Sequence, residues 1–174
     1  LVKTLLDPGE EVIAFAPYFV EYGNYAGNHG ATIKAVPPRP PTFQPDLDAL
    51  EEMIVEKTRA VIINSPNNPT GVVIKRDRLE ALCDVLRRKE REYGKTIFLI
   101  SDEPYRAFAY DGATVPPVLP LTPYAVVLGS FSKTLSLAGE RIGYVVVRPA
   151  MPDGTTLVNA VTLISGSFGG INLE

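Results

Sequence analysis

Short apolar segments, each followed at once by polar residues or a turn, recur along this chain of 174 residues. Their hydrophobicity is continuous rather than alternating, which is typical of strands buried on both faces of a sheet. Amphipathic helical patterns separate most of them, so the sequence predicts an α/β fold, a mainly parallel sheet with helices on both faces. The predicted strands are Glu11–Phe15, Ala31–Val36, Ala60–Asn64, Ile97–Ile100, Ala125–Gly129 and Gly143–Val147.

Apolar residues at helical spacing predict the helices that connect these strands. Asp46 is the predicted N-cap of a helix over about 47–54. Residues 76–93 form a predicted amphipathic helix that Gly94 ends, and we interpret Cys83, on its apolar side, as a core residue. The other predicted connections are extended loops over Pro37–Pro45 and Val115–Pro123, and a helix over Thr155–Ile164 that Gly166–Gly170 breaks.

Charge and composition exclude several classes of partner. The formal net charge is −3, which gives no electrostatic argument for binding nucleic acid or a membrane surface. A single cysteine cannot form an internal disulfide, in agreement with a reducing cytoplasm. No apolar run has the length of a membrane span, and we interpret His29 as a loop residue rather than a metal ligand. We therefore expect a cytoplasmic protein without nucleic-acid, membrane or metal partners.

Polar residues with distinctive chemistry follow three of the predicted strands. They are Asn68 after the third strand, Asp102 and Tyr105 after the fourth, and Ser130, Lys133 and Arg141 after the fifth. Because the carboxyl ends of parallel strands meet at one edge of a sheet, we expect these side chains to converge. A lysine among apolar walls loses its proton more easily, since burial disfavours the charged form, and the free amine can form an imine with an aldehyde.

The remaining side chains of this set suit the other chemical groups of a single cofactor that carries such an aldehyde. An aspartate can hold a protonated ring nitrogen, a tyrosine and an asparagine can bond to a phenolate oxygen, and serines with an arginine suit a phosphate. These needs together describe pyridoxal phosphate.

Three motifs, in this order, resemble those of the pyridoxal-phosphate-dependent aminotransferases of fold type I, class I/II. SPNNPTG (65–71) resembles the Asn-Pro-x-Gly turn of that family, and SDEPY (101–105) resembles its Asp-x-x-Tyr motif. SFSKTLSLAGERIG (130–143) matches its lysine signature throughout, including the arginine eight residues after the lysine. The resemblance implies a transaminase that moves an amino group between an amino acid and a 2-oxo acid, with pyridoxal 5′-phosphate as cofactor.

The resemblance also implies three catalytic residues, Lys133, Asp102 and Tyr105. Lys133 would form the Schiff base with the cofactor and then move a proton between the substrate and the cofactor. Asp102 would pair with the pyridine nitrogen, and Asn68 and Tyr105 would bond to the ring oxygen O3′. Asn68 is also interpretable as a turn residue. Glu103 should point away from Asp102, because neighbours on an extended segment face opposite ways, so we predict no carboxylate pair.

The other implied cofactor-binding residues contact the phosphate and the ring face. Ser130 and Arg141 would hold the phosphate, whereas Ser132 is open between that role and packing. By its place in Pro-Tyr-Phe, Phe19 would stack on the ring, and Tyr18 is the competing choice.

We interpret residues 1–174 as one partial domain, the cofactor-binding large domain, because the chain opens inside a predicted helix without a start signal or an initiator methionine. The resemblance implies an N-terminal segment with a phosphate loop, a small domain with a carboxylate-binding arginine, and a homodimer. Arg106 and Arg148 are interpreted as surface or structural residues rather than that arginine. We therefore expect the 174 residues to be inactive alone, and Leu173–Glu174 to be native or vector-derived.

Two other functions stay open at this point. Relatives of the same fold use the lysine and aspartate as lyases or decarboxylases, and product analysis would separate these from a transaminase. Some transcription regulators carry an aminotransferase-like domain as an effector sensor, since fold does not fix function. A basic helix-turn-helix segment upstream would favour that second class.

Overall fold

The computed structural model describes residues 1–168. Its strands are β1 (Glu11–Phe15), β2 (Thr32–Val36), β3 (Thr58–Asn64), β4 (Phe98–Asp102), β5 (Ala125–Ser130) and β6 (Gly143–Val147). They form one sheet in the order β2-β1-β3-β4-β5-β6. Every neighbouring pair is parallel except β5 and β6, which are antiparallel. The predicted fold class is confirmed.

Helices follow most of the strands, as the sequence pattern predicts. They are α1 (Val2–Leu5), α2 (Glu21–Gly27), α3 (Leu47–Met53), α4 (Arg76–Tyr93), α5 (Phe131–Thr134) and α6 (Gly154–Phe168), with a 3₁₀ turn at Arg106–Phe108. Asp46 caps α3 through a 3.3 Å hydrogen bond from the Ala49 amide to its side chain. Gly94 ends α4 with φ at +64°, a conformation that glycine adopts without strain.

The helices cover both faces of the sheet. Side chains of alternate residues in a strand point to opposite faces. Ile13 and Val61 therefore pack against α3 and α4, whereas Val12 and Ala14 pack on the other face against Tyr22 of α2. Each face is covered by apolar residues that the helices contribute.

The predicted connections between elements hold with few changes. Residues 37–45 and 115–123 are irregular, as expected. Cys83 is fully buried in α4, and burial raises the pKa of its thiol to about 11, so it is a core residue as interpreted. No helix within residues 1–168 is long and apolar enough to cross a membrane.

Several predicted boundaries are wrong, since β2, β3, β4 and β5 each differ from their predicted bounds by one or two residues. β4 continues through Asp102, because it pairs with β3 up to the partners Asn64 and Asp102. The predicted break of the last helix at Gly166 does not occur, since α6 runs to Phe168. A single glycine costs a helix only about 1 kcal/mol, which does not end it. The rest of that predicted break, Gly169 and Gly170, and the dipeptide Leu173–Glu174 lie outside the described residues.

Candidate functional site

The carboxyl ends of the central parallel strands form one edge of the sheet. Asn64, the last residue of β3, lies beside Asp102, the last residue of β4. Asp102 in turn lies beside Leu128 of β5, two residues before Ser130 ends that strand. The strand ends therefore converge, as the sequence pattern predicts.

Asp102 is held on two sides at this edge. The hydroxyl of Tyr22 donates a hydrogen bond to its carboxylate oxygen Oδ2. The side-chain amide of Asn64 donates to its backbone oxygen at 2.8 Å. Among residues 1–168 nothing donates a hydrogen bond to the second carboxylate oxygen, Oδ1. The carboxylate is thus fixed in orientation and keeps one oxygen for another donor.

Burial raises the pKa of the Asp102 carboxyl above its ordinary value. The hydrogen bond from Tyr22 lowers that pKa, and the charge of Glu103 raises it further. The net direction is upward, which makes this carboxylate a better proton acceptor than an exposed aspartate.

Asn68 and Tyr105 meet at the same edge. The side-chain amide of Asn68 lies 3.3 Å from the Tyr105 hydroxyl, within hydrogen-bond distance. The backbone amide of Asn68 donates to the Asn64 side-chain oxygen at 2.8 Å. The amine nitrogen of Lys133 lies 5.9 Å from the centre of the Tyr105 ring. An unbroken series of contacts therefore joins Asp102 to Lys133 through Asn64, Asn68 and Tyr105.

An ion pair between buried Glu103 and partly exposed Arg106 fixes the turn that carries Tyr105. The Glu103 carboxylate accepts hydrogen bonds from the Ser101 hydroxyl at 2.8 Å and from the Arg106 guanidinium at 2.7 Å. Arg106 also donates to the Val115 carbonyl oxygen at 2.8 Å. The interpretation of Arg106 as structural is confirmed, and Glu103 points away from Asp102 as predicted.

Lys133 lies in the single turn of α5, not in an open loop. Ser130 caps this turn, since its hydroxyl accepts a 3.1 Å hydrogen bond from the Ser132 amide. The expectation of apolar walls around Lys133 is wrong for the described residues, because Lys133 and every residue from there to Tyr144 are exposed. The cause is local: α5 and the turns after it lie on the surface, and no described element covers them.

Arg141, predicted to bind the phosphate, and Phe19, predicted to stack on the ring, are less closely joined to the other site residues. Arg141 is exposed, has φ at +54°, and donates to the Ala138 carbonyl oxygen at 2.8 Å. The Phe131 amide bonds to the Ile142 oxygen at 3.2 Å, which keeps Arg141 near the start of α5. Phe19 is 43% exposed at the edge of the site, with its ring 5.7 Å from that of Tyr22.

Two residues of this edge had no role in the sequence analysis. Tyr22 contacts Asp102 although 80 positions separate them, and Asn64 joins Asp102 to Asn68. A signal for Asn64 was present, because an asparagine that ends a buried apolar strand needs a polar partner. Tyr22 gave no such signal, since a tyrosine on the inner side of a helix is usually a core residue.

The chemistry of these donors and acceptors fits pyridoxal phosphate. Asp102 has a free carboxylate oxygen for a ring N–H, and the Asn68 and Tyr105 polar groups converge where a phenolate oxygen would be bound. The exposed amine of Lys133 is accessible to an aldehyde. Residues 1–168 hold no group of three or more His, Cys, Asp and Glu side chains placed to bind a metal ion.

Comparisons with known proteins place the chain among aminotransferases. The family description "Aminotransferase class I and II" matches residues 1–169. A solved structure described as an amino transferase from Eubacterium rectale is 44% identical, with a TM-score of 0.93 over 97% of this chain and 42% of that chain. The aspartate aminotransferase of Thermotoga maritima is 39% identical over 145 residues, which are 82% of this chain and 37% of the relative.

A further relative is named for a different substrate. The arginine–pyruvate transaminase of Pseudomonas aeruginosa is 35% identical over 149 residues, which are 84% of this chain and 36% of the relative. The chain spans about two fifths of the length of these relatives. The matching regions include the edge of the sheet described above, and the chain belongs to the class I and II aminotransferase family, whose members use pyridoxal 5′-phosphate.

Proposed function

We propose that this chain forms the cofactor side of an enzyme that transfers an amino group between an amino acid and a 2-oxo acid. The observation that carries this proposal is the continuous series of contacts from Asp102 through Asn64, Asn68 and Tyr105 to Lys133. The names of the relatives support transamination rather than elimination or decarboxylation.

Bound pyridoxal 5′-phosphate supplies an aldehyde that condenses with amines and a ring that accepts electrons from the substrate. Asp102 would hold the proton of the ring nitrogen through its free oxygen Oδ1. Asn68 and Tyr105 would orient the ring by hydrogen bonds to O3′. The amine of Lys133 would hold the cofactor at its aldehyde carbon and, when displaced by the amine of the substrate, would carry the proton that the substrate loses.

Ser130 and Arg141 bind the phosphate in this proposal, and Phe19 covers one face of the ring. The Arg141 guanidinium is exposed and already donates to Ala138, so a phosphate would take up its remaining donors. Phe19 presents an exposed ring beside Tyr22, which supports the choice of Phe19 over Tyr18 for stacking.

The wider arrangement is also proposed. Residues 1–174 belong to the large domain, and the substrate carboxylate is bound by an arginine outside these residues. The protein acts in the cytoplasm as a homodimer, and exposed apolar side chains on β6 and α6 support a larger assembly.

Amino transfer by the full-length protein tests the proposal. The protein is incubated with pyridoxal 5′-phosphate, pyruvate and either aspartate or arginine, and the products are identified by mass spectrometry. We expect alanine and the 2-oxo acid of the donor, with both absent for Lys133→Ala. Release of ammonia or carbon dioxide without alanine would instead support a lyase or a decarboxylase, and the absence of any product would contradict the proposal.

A further inference from the structure

The hydroxyl of Tyr22 is the only side-chain donor to the Asp102 carboxylate among the described residues 1–168. Tyr22 lies in the first half of α2 and is 7% exposed. Nothing in the three motifs that define the site includes this residue.

Packing fixes the Tyr22 ring. The ring of Tyr18 stacks on it with 6.3 Å between centres, and the ring of Phe19 meets it edge-on at 5.7 Å. Tyr22 also belongs to the core between the sheet and α2, together with Val12 and Ala26. The ring is therefore held on several sides, and its hydroxyl donates a hydrogen bond to the Asp102 carboxylate at the end of β4.

We propose that Tyr22 is a positioning residue, whose hydroxyl holds Oδ2 of Asp102 so that a charged carboxylate presents Oδ1 to the cofactor's ring nitrogen. This inference rests on the proposed function, because the ring nitrogen is the partner that Oδ1 would meet. It assigns Tyr22 no contact with the substrate or with the reacting atoms.

The electrostatics of the pair agree with this role. Burial raises the pKa of Asp102, and the hydrogen bond from Tyr22 acts against burial by favouring the ionised form. Burial, and then the charge of Asp102, raise the pKa of Tyr22 well above its ordinary value. The phenol therefore keeps its proton at neutral pH and remains a donor.

Other ionisable groups near this pair affect its pH dependence. Glu103, next to Asp102 in the chain, raises the pKa of the Asp102 carboxyl. Tyr25 on α2 and Tyr105 after β4 both raise the pKa of Tyr22. Tyr25 donates its own hydroxyl to Glu21 at 2.6 Å instead of Asp102, so it is a matched control on the same helix.

The test compares the 174-residue chain with Tyr22→Phe and Tyr25→Phe. The first readout needs no cofactor: the ¹³C signal of the Asp102 carboxyl, identified by its loss in Asp102→Asn, is followed against pH. In Tyr22→Phe we expect its titration to move to higher pH, because burial remains and the opposing hydrogen bond is lost. In Tyr25→Phe we expect Asp102 to titrate at the same pH as in the unsubstituted chain. An unmoved titration in Tyr22→Phe overturns the inference.

The second readout is the dissociation constant for pyridoxal 5′-phosphate, measured by absorbance. Loss of a hydrogen bond to a charged group predicts binding about tenfold weaker in Tyr22→Phe. In an Asp102→Asn background, where no charge remains to be held, the same substitution should change binding by less than about twofold. An equal loss in both backgrounds would show a purely structural effect and would overturn the inference.

The two readouts separate this inference from the proposed function. If the unsubstituted chain does not bind pyridoxal 5′-phosphate selectively at Lys133, the proposed function fails even when the Asp102 titration responds to Tyr22. If the cofactor binds at Lys133 but neither readout responds to Tyr22→Phe, only the role of Tyr22 fails. Thermal melting of each variant shows that it is folded, and Tyr22→Phe keeps the packed ring.

Discussion

Asp102 combines two properties at the scale of the single residue. It is partly buried, which raises the pKa of its carboxyl, and it is tied by Tyr22 and Asn64 into one orientation. Burying an ionised carboxylate costs free energy in the empty protein, and a cationic ring nitrogen would compensate that cost on binding. A residue placed in this way is expected to favour ligand binding at the expense of stability.

Asp102→Asn should therefore have opposite effects on binding and stability. We expect about 10- to 100-fold weaker binding of pyridoxal 5′-phosphate, the loss of one charge-assisted interaction of about 1.5–3 kcal/mol. At pH 7 the empty variant should melt at a higher temperature than the unsubstituted chain, because the asparagine carries no buried charge. This difference should shrink as the pH falls toward 3.8, where the wild-type carboxyl becomes protonated in the folded and unfolded states.

The matched control for this prediction is Asp111→Asn. Asp111 lies in an exposed turn with φ at +55°, which asparagine also adopts readily. It should change neither cofactor binding nor melting temperature. Equal melting temperatures for Asp102→Asn and the unsubstituted chain at pH 7 would show that the buried charge has no cost.

At the scale of elements, a short turn after β4 places Tyr105 opposite Asn68. Its stability depends on Glu103, whose side chain is 5% exposed and is paired with Arg106, which is 39% exposed. The turn is also tied to the following loop, because Arg106 donates a hydrogen bond to the carbonyl oxygen of Val115. The order of this turn thus rests on charge pairing rather than on apolar packing.

Arg106→Ala should destabilise the chain by about 1–3 kcal/mol, measured by urea unfolding. The reason is that the Glu103 carboxylate stays buried and keeps the Ser101 hydroxyl as its donor. Because Arg106 is partly exposed, the loss of stability should be smaller than for a fully buried pair. Arg88→Ala removes a comparable but exposed ion pair with Glu51, and it should change the unfolding midpoint little. Similar effects of the two substitutions would contradict the role given to Arg106.

The sequence predicts the elements better than the contacts between them. Continuous apolar runs mark buried strands, so β1 has the predicted bounds, Glu11–Phe15. The contact of Tyr22 with Asp102 depends on how α2 packs against the sheet, which local patterns do not contain. The exposure of Lys133 could not be predicted either, because whether a one-turn helix is covered depends on the surrounding chain.

At the scale of the whole molecule, the opposite edge of the sheet carries an ion pair that links successive parts of the fold. Arg59 of β3 donates to Glu10, just before β1, with its shortest contact at 2.6 Å. Burial raises the pKa of Glu10, but hydrogen bonds from Arg59 and from the Asp7 amide outweigh it, and the net direction is downward. A carboxyl with a lowered pKa contributes stability above the pKa of the unfolded state and loses it as the pH falls.

Glu10→Gln should destabilise the chain by about 1 kcal/mol at pH 7, a value reduced by partial exposure to solvent. Below about pH 4.5, the ordinary pKa of this carboxyl, the difference from the unsubstituted chain should shrink toward zero. Glu80→Gln, in an exposed pair with Arg76 on α4, is the control and should have little effect at either pH. If the difference in stability between Glu10→Gln and the unsubstituted chain stayed the same at low pH, its cause would be packing and not charge.

The convergence of the strand ends on Lys133 is tested most directly by reductive labelling. The chain is mixed with pyridoxal 5′-phosphate and reduced with borohydride, and the modified lysine is identified by mass spectrometry after digestion. Seven lysines compete in this sequence. We predict selective labelling of Lys133 that is lost in Asp102→Ala. Labelling spread over the seven lysines, and unchanged in Asp102→Ala, would contradict a cofactor site at this edge of the sheet.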